Sequence, residues 1–330
     1  FTCVAVPDPV IWAGARPIYV DCDETLTMDP NDLERNITPR SKVLIIQHTF
    51  GRPANMEHLM EIALKYKLFV IEDCAHALGA RSRGRLLGSF GDVAFFSFGR
   101  DKVISSVFGG MMIATNEKRA IAIRSRQEHA PLPSRTWIAQ QLFHPPFLSL
   151  VKATYGFLST GKVLAEIGKR MQLISKSVLP IEKKGGKPPF VGQGLPNALA
   201  FLAIHQFDKM ERINSHRQKI AKIYHHGLQD LTGIRIDPWD GERVWLRYCI
   251  RTNRRGELMR IARRNGIYLG DWYDVPIAPF DVDVNAIGYV QGSCPKAERI
   301  ATEIVNLPTH IGITHEDAER IVSVTRSVCH

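Results

Sequence analysis

The sequence predicts an α/β protein, with a mostly parallel sheet in its first part and a smaller α+β domain in its C-terminal part. Three observations carry this reading. Short apolar runs alternate with amphipathic stretches over residues 1–115, as strands joined by crossover helices require. A long helical pattern follows at 195–228, and beyond it an alternating strand and a short amphipathic helix are mixed.

In chain order, strands are expected at Pro17–Asp21, Val43–Ile46, Leu68–Ile71 and Val93–Phe96. Between the second and third, Leu59, Ile62, Ala63 and Tyr66 recur at helical spacing and predict a helix over Met56–Tyr66. Residues 131–190 break the rhythm with Pro131, Pro133, Pro145 and Pro146, the stretch Phe147–Leu179, and the flexible run Lys183-Lys184-Gly185-Gly186-Lys187. An insertion of one or two basic helices between Pro and Gly punctuation is expected there. One continuous helix is expected from Leu195 to Leu228, where Leu195, Leu199, Leu202, Gln206, Met210 and Ile213 track a single face. Val244, Leu246, Tyr248 and Ile250 predict an alternating strand, and Glu257–Arg264 a helix that Gly266 stops. The expected organisation is a large domain over 1–130, a basic amphipathic insertion over 131–190, and an interdomain helix with a small domain over 191–330.

A chain of 330 residues with 45% hydrophobic content can bury a substantial core, which excludes a disordered or fibrous protein. The formal charge of +10 points to anionic partners, but no basic stripe interleaved with aromatics appears, so a nucleic-acid reader is not expected. From Pro145 to Lys187 the segment alone nets +6, with Phe147, Leu148, Leu150, Val151, Tyr155, Phe157 and Leu158 beside its cations. Such a mixture suits an anionic membrane surface or a partner subunit, and equally a solvated helix packed on its own domain. The six cysteines are scattered without metal-ligand spacing, so a reduced, cytoplasmic compartment and no metal are expected, with peripheral membrane contact through 145–187. No apolar run reaches the roughly 18 residues of a membrane-spanning helix.

In open α/β sheets ligands gather beyond the carboxyl ends of the strands. The third expected strand runs into Glu72-Asp73, and the fourth into Ser97-Phe98 and then Lys102. Taken alone, Asp73 reads as a turn cap and Lys102 as a solvated charge. Lys102 is followed, however, by the apolar stretch Val103–Phe108 and the pair Gly109-Gly110, surroundings that desolvate an amine as carbonyl chemistry needs.

The run Val70-Ile71-Glu72-Asp73-Cys74-Ala75-His76-Ala77-Leu78-Gly79-Ala80, with Gly88, Gly91-Asp92, Phe96-Ser97-Phe98, Lys102 and Gly109-Gly110, resembles the DegT/DnrJ/EryC1/StrS family. The resemblance continues at Ala13–Pro17 with Val20-Asp21, at Ile37–Arg40, at Gln47–Pro53, along Leu199–Tyr224 and at Asn306–His310, and so covers most of the chain outside 131–190. It implies a fold-type I pyridoxal 5'-phosphate enzyme, an aminotransferase acting on the keto sugar of a nucleotide-diphosphate sugar, with glutamate as amino-acid donor. It also implies a homodimer with a shared active site and a place in polysaccharide biosynthesis. Carried over by position, Lys102 bonds the cofactor aldehyde and moves the proton of the reaction, Asp73 pairs with the pyridine nitrogen, Ser97 binds the phosphate, and His76 stands beside the ring. His48 lies past another strand end, where it is a candidate to face substrate, outside the catalytic set. Dehydrating members carry His where this chain has Lys102, so amino transfer is expected over sugar dehydration. A non-catalytic or regulatory member is the other alternative.

Three departures stand out. The family's phosphate-cradling turn lies ahead of the position of Thr2, and Phe1 begins inside the pattern, so the chain is expected to be a fragment. Cys3 stands where an aromatic usually stacks on the cofactor ring. Gln193-Gly194 stands where the dimer partner usually offers Tyr-Asn to the phosphate, with Asn197 nearby but out of register. Gly270-Asp271-Trp272-Tyr273 sets aromatics beside glycines, a candidate to flank a sugar or nucleotide, and Trp272 and Tyr273 are read first as domain packing.

Overall fold

A computed structural model describes residues 1–154, 160–170 and 178–330. Its central sheet has four strands in the order β1 (Val43–Gln47), β2 (Phe69–Asp73), β3 (Val93–Ser97) and β4 (Gly110–Ala114). The first three are parallel and β4 returns antiparallel. Helix α1 (Met56–Lys65) makes the crossover from β1 to β2; the Asn55 side chain accepts the His58 amide at its start, and Leu59, Ile62 and Ala63 are buried against the sheet. Register pairs Gln47 with Asp73 and Asp73 with Phe95, so the polar ends of β1, β2 and β3 come out along one rim.

The C-terminal part is a three-stranded antiparallel sheet in the order β7 (Ile304–Pro308), β6 (Arg247–Arg251), β5 (Arg235–Ile236). Its core draws on Tyr224, Leu228, Tyr248, Ile250, Leu258, Ala262, Val305 and Ile321. A third cluster, with Val4, Phe50, Tyr273 and Ile277, joins the first residues of the chain to the last third. There Thr2–Cys3 pairs in parallel with Ile277–Ala278, and this closes the C-terminal part over the rim of the central sheet. The mixed α/β architecture is the one expected.

Several local expectations change. Pro17–Asp21 is not a strand. Pro17 lacks an amide hydrogen, and the segment is held through side chains: Tyr19 Oη donates to Ile287 O at 2.8 Å, and the Asp21 carboxylate accepts from Lys296 N and Ala297 N, each at 2.9 Å. The long helix is two, α4 (Asn197–Phe207) and α5 (Met210–Leu228). The Lys209 amide reaches back only three residues, to Gln206 O, and closes α4. α4 is apolar all round, with Leu199 and Ala203 buried and Phe201, Ile204 and Phe207 exposed. The alternation at 244–250 misplaces the strand. β6 starts at Arg247, and Tyr248, Cys249 and Ile250 are all buried, so both faces of the strand are covered.

Within the expected insertion, Pro145 and Pro146 lie inside helix α2 (Arg135–Thr154) rather than bounding one. The buried positions Gln141, His144, Phe147 and Val151 keep one face through the prolines. α2 exposes Leu142, Phe143 and Leu150, and α3 (Thr160–Arg170) exposes Val163 and Ile167. The expectations that rest on Tyr155, Phe157, Leu158 and Lys176, and on the side chains of Lys162, Lys169 and Arg170, lie outside the described residues. Among the described residues no helix is long and apolar enough to cross a membrane.

Candidate active site

The rim of the central sheet opens into a cavity of about 460 Å³ lined by Cys3, Gln47, Asp73, His76, Ser97, Lys102, Gly109 to Met112 and Tyr273 among others. The four residues singled out from sequence, Asp73, His76, Ser97 and Lys102, all reach it. Asp73 ends β2 and is 3% exposed. Burial pushes its carboxyl above the usual range, opposed by the Ala75 amide hydrogen bond to Oδ1 and by the charge of Lys102. Ser97 ends β3, and its Oγ accepts the Gly99 amide at 3.3 Å, which leaves the hydroxyl hydrogen free to donate.

A tight turn follows Ser97, closed by the Lys102 amide on Gly99 O, and it delivers Lys102 to the cavity. Its Nζ lies 3.0 Å from Asp101 Oδ2 and 3.1 Å from His76 Nε2. The glycine pair is needed to return the chain into β4. Gly109 has φ +122°, and a Cβ on Gly110 would sit 2.5 Å from Phe96 O.

His76 is 4% exposed and stacks on Phe50, the rings 5.9 Å apart. Its Nδ1 accepts the Phe50 amide at 3.2 Å, which assigns the neutral ring's proton to Nε2, on the side of Lys102. Burial, then the charges of Lys102 and Arg247, hold it well below the ordinary imidazole range. His48 does not face the cavity. It is fully buried beneath the rim, accepts the Ala54 amide at Nδ1, and lies 3.4 Å from Glu72 Oε2 through Nε2. Burial works to raise the Glu72 carboxyl, yet His48 and the amides of Gly88 and Gly91 hold it below its usual value. His48, Glu72 and Cys74 offer ligand atoms within 4.8 Å of one another, but Glu72 is already saturated by N–H donors, and burial raises the Cys74 thiol far above the range of a ligating thiolate.

Gln47 and Tyr273 join the wall. Tyr273, read as packing, does pack, at 3% exposure, and also lines the cavity. Trp272 stacks beside it at 5.9 Å, and Lys102 Nζ lies 5.7 Å from the indole centroid. Arg247 Cζ is 5.1 Å from the same centroid. Gln47 was open to the strand-end rule that found Asp73, since it is the last residue of β1. Gln193 and Gly194 line a second, apolar cavity of about 810 Å³ that shares Gly109 to Met112 with the first, while Asn197 sits exposed at the start of α4.

The donor set suits pyridoxal 5'-phosphate: an amine in reach of an aldehyde, a buried carboxylate for a ring N–H, and a hydroxyl for a phosphate oxygen, all opening into one cavity. A UDP-N-acetyl-3-dehydro-α-D-glucosamine 3-aminotransferase of Acidithiobacillus ferrooxidans is 27% identical over all of this chain and 76% of that protein. GDP-perosamine synthase of Escherichia coli O157:H7 is 42% identical over 118 residues, 36% of this chain and 32% of that protein. Helicobacter pylori PseC, an aminotransferase involved in the biosynthesis of pseudoaminic acid, superposes with a TM-score of 0.74 at 17% identity, over 99% of this chain and 78% of that one. The profile of the DegT/DnrJ/EryC1/StrS aminotransferase family matches residues 1–141 and 181–326, and the chain belongs to that family.

Proposed function

We propose that the protein is a pyridoxal-phosphate aminotransferase that moves an amino group from glutamate to the keto carbon of a nucleotide-diphosphate sugar, in glycan biosynthesis. Aminotransferases of this family depend on pyridoxal phosphate, and relatives carry names of nucleotide-sugar transaminases. The observation that carries the reading is the convergence of the Lys102 amine and the buried Asp73 carboxylate in one cavity.

The bound cofactor supplies an electrophilic aldehyde and a protonated ring that draws electrons from the substrate carbon. Lys102 would hold the cofactor through its aldehyde, and its amine, when free, would move the proton between the two reacting carbons. Asp73 holds the proton at the ring nitrogen. The pressure of burial on an unpaired carboxylate makes a cationic N–H a favoured partner there. Ser97 donates its hydroxyl to the phosphate, and His76 keeps Nε2–H directed at the Lys102 amine. Amine and carbonyl exchange places between donor and acceptor, so no external oxidant is required.

The working molecule is proposed to be a cytoplasmic homodimer. In support, α4 presents exposed Phe201, Ile204 and Phe207 next to the cavity that Gln193 and Gly194 line. Residues 131–190 are proposed as an add-on to a large domain over 1–130 and a small domain over 191–330, with peripheral contact at an anionic membrane surface. The family profile leaves 142–180 unmatched, and α2 and α3 expose apolar side chains. Deletion of 145–187 then lowers sedimentation with anionic vesicles.

Loading the full-length protein with cofactor and glutamate, then offering keto sugars one at a time, tests the reading. It is upheld if a nucleotide-linked keto sugar restores the aldehyde form, and fails if glutamate and other amino donors leave the cofactor spectrum unchanged.

A further inference from the structure

Two arginines beside the site lack the carboxylate partner that the fold gives to others. Arg217 is 6% exposed, and its Nη1 donates to Leu246 O and to Thr309 Oγ1, both at 3.0 Å and both uncharged. These bonds draw Arg247 of β6 and His310, the sequence neighbours of those acceptors, to the same place. Arg247 Cζ stands over the ring of Trp272, the indole that Lys102 also approaches. The Nε atoms of Arg217 and Arg247 are buried without a hydrogen-bond partner. Among the described residues no carboxylate lies within 4.0 Å of either side chain. By contrast, Arg52 and Arg243 share Asp237 at 2.7 Å each, and Arg251 and Arg299 share Glu24.

Burying a cation without a counter-charge is unfavourable. The same positive charges act on the neighbouring groups. Burial, then the charge of Arg247, pushes Arg217 down to about 10, and burial together with Arg217, Arg247, Lys152 and His216 lowers His310. Lys152 belongs to α2, in the segment that the family profile leaves unmatched, so that segment adds charge to the same place.

We propose that Arg247, backed by Arg217, seats an anionic group of a substrate whose reacting carbon lies at Lys102. The inference rests on the aminotransferase reading and names a group that holds substrate in it. A guanidinium held over an indole rather than by a carboxylate keeps N–H donors for an anion, and its fork matches carboxylate or phosphate. The proposed reaction offers two such groups, the carboxylates of the amino donor and the diphosphate of the sugar nucleotide.

Isothermal titration of the full-length protein with glutarate and, separately, with inorganic pyrophosphate tests the seat. Wild type is expected to bind at least one of them, more weakly as salt rises. Arg247→Met, which keeps the apolar contact with Trp272, is expected to weaken that anion tenfold or more, about 1.4 kcal/mol, and Arg247→Lys to weaken it less. A loss confined to glutarate assigns the seat to the donor, and a loss confined to pyrophosphate assigns it to the nucleotide. Equal binding of both anions by Arg247→Met and wild type, or binding of neither by wild type, overturns the proposal. An unchanged melting temperature and cofactor spectrum certify the variant; should Arg247→Met not fold, Arg247→Gln and Arg217→Met carry the same comparison. Transamination assayed in parallel separates the two readings: anion binding that depends on Arg247 in a protein that transfers no amino group keeps the seat and loses the reaction.

Discussion

Lys102 Nζ stands 3.1 Å from His76 Nε2, while the opposite ring nitrogen of His76 accepts the Phe50 amide at 3.2 Å. A buried imidazole held neutral in this tautomer is a hydrogen-bond donor aimed at the amine, and it serves the amine in its unprotonated, nucleophilic form. His76→Phe is therefore expected to lower kcat by about 10- to 100-fold with little change in the KM of either substrate. His76→Gln retains a donor and loses less. Steady-state kinetics of the two variants decide the point.

The same residue makes a prediction for stability. His76 in the folded protein lies well below its ordinary value of 6.5, so below about pH 6.5 the unfolded chain binds a proton that the folded one does not. Stability is therefore expected to fall as pH drops below about 6.5, and His76→Gln to flatten part of that slope. Chemical denaturation at pH 5, 6 and 7 measures it.

Asp8 gives the opposite sign. It is fully buried, both carboxylate oxygens lack partners, and burial followed by the charge of Glu182 raises its carboxyl to about 7 from 3.8. The folded protein thus holds a proton between those values that the unfolded chain has released, and stability is lost as pH rises towards 7. Asp8→Asn is expected to raise the melting temperature at pH 8 by more than it does at pH 5, as scanning fluorimetry at the two pH values will show.

Gly110 tests the route by which the chain re-enters β4. A Cβ there would lie 2.5 Å from Phe96 O, a backbone atom that cannot move without disturbing β3 and hence Ser97. Gly110→Ala is expected to destabilise by about 1–3 kcal/mol and to weaken cofactor binding together with stability, as read from denaturant midpoints and cofactor titration.

Strand ends pointed to Asp73 and to the stretch from Ser97 to Lys102, while the roles of Asp73, His76, Ser97 and Lys102 came only from the resemblance of the whole run to the family. Asp73 and Ser97 are the polar residues on which apolar runs end, and Lys102 precedes a glycine pair that a positive φ at Gly109 and a close backbone approach at Gly110 explain. Arg247 was not legible, and Trp272 and Tyr273 were read first as packing. Tyr273 lines the cavity beside the pairing of Thr2–Cys3 with Ile277–Ala278, a contact between opposite ends of the chain that no window of sequence displays, and Arg247 comes to Trp272 from a different strand. The extended segment at Pro17–Asp21 misled because its apolar residues mimic a strand while its bonds are made by side chains. The helix at 195–228 misled because α4, apolar on every side, carries no phase from which a break at Asp208-Lys209 can be read.

Reduction with borohydride of the full-length protein loaded with pyridoxal phosphate, followed by peptide mass mapping, addresses the role of Lys102 most directly. The expected result is cofactor fixed on Lys102 alone, with none fixed in Lys102→Ala and weak, slow turnover in Asp73→Asn. Cofactor fixed on another lysine, or transamination by Lys102→Ala at the wild-type rate, would contradict it.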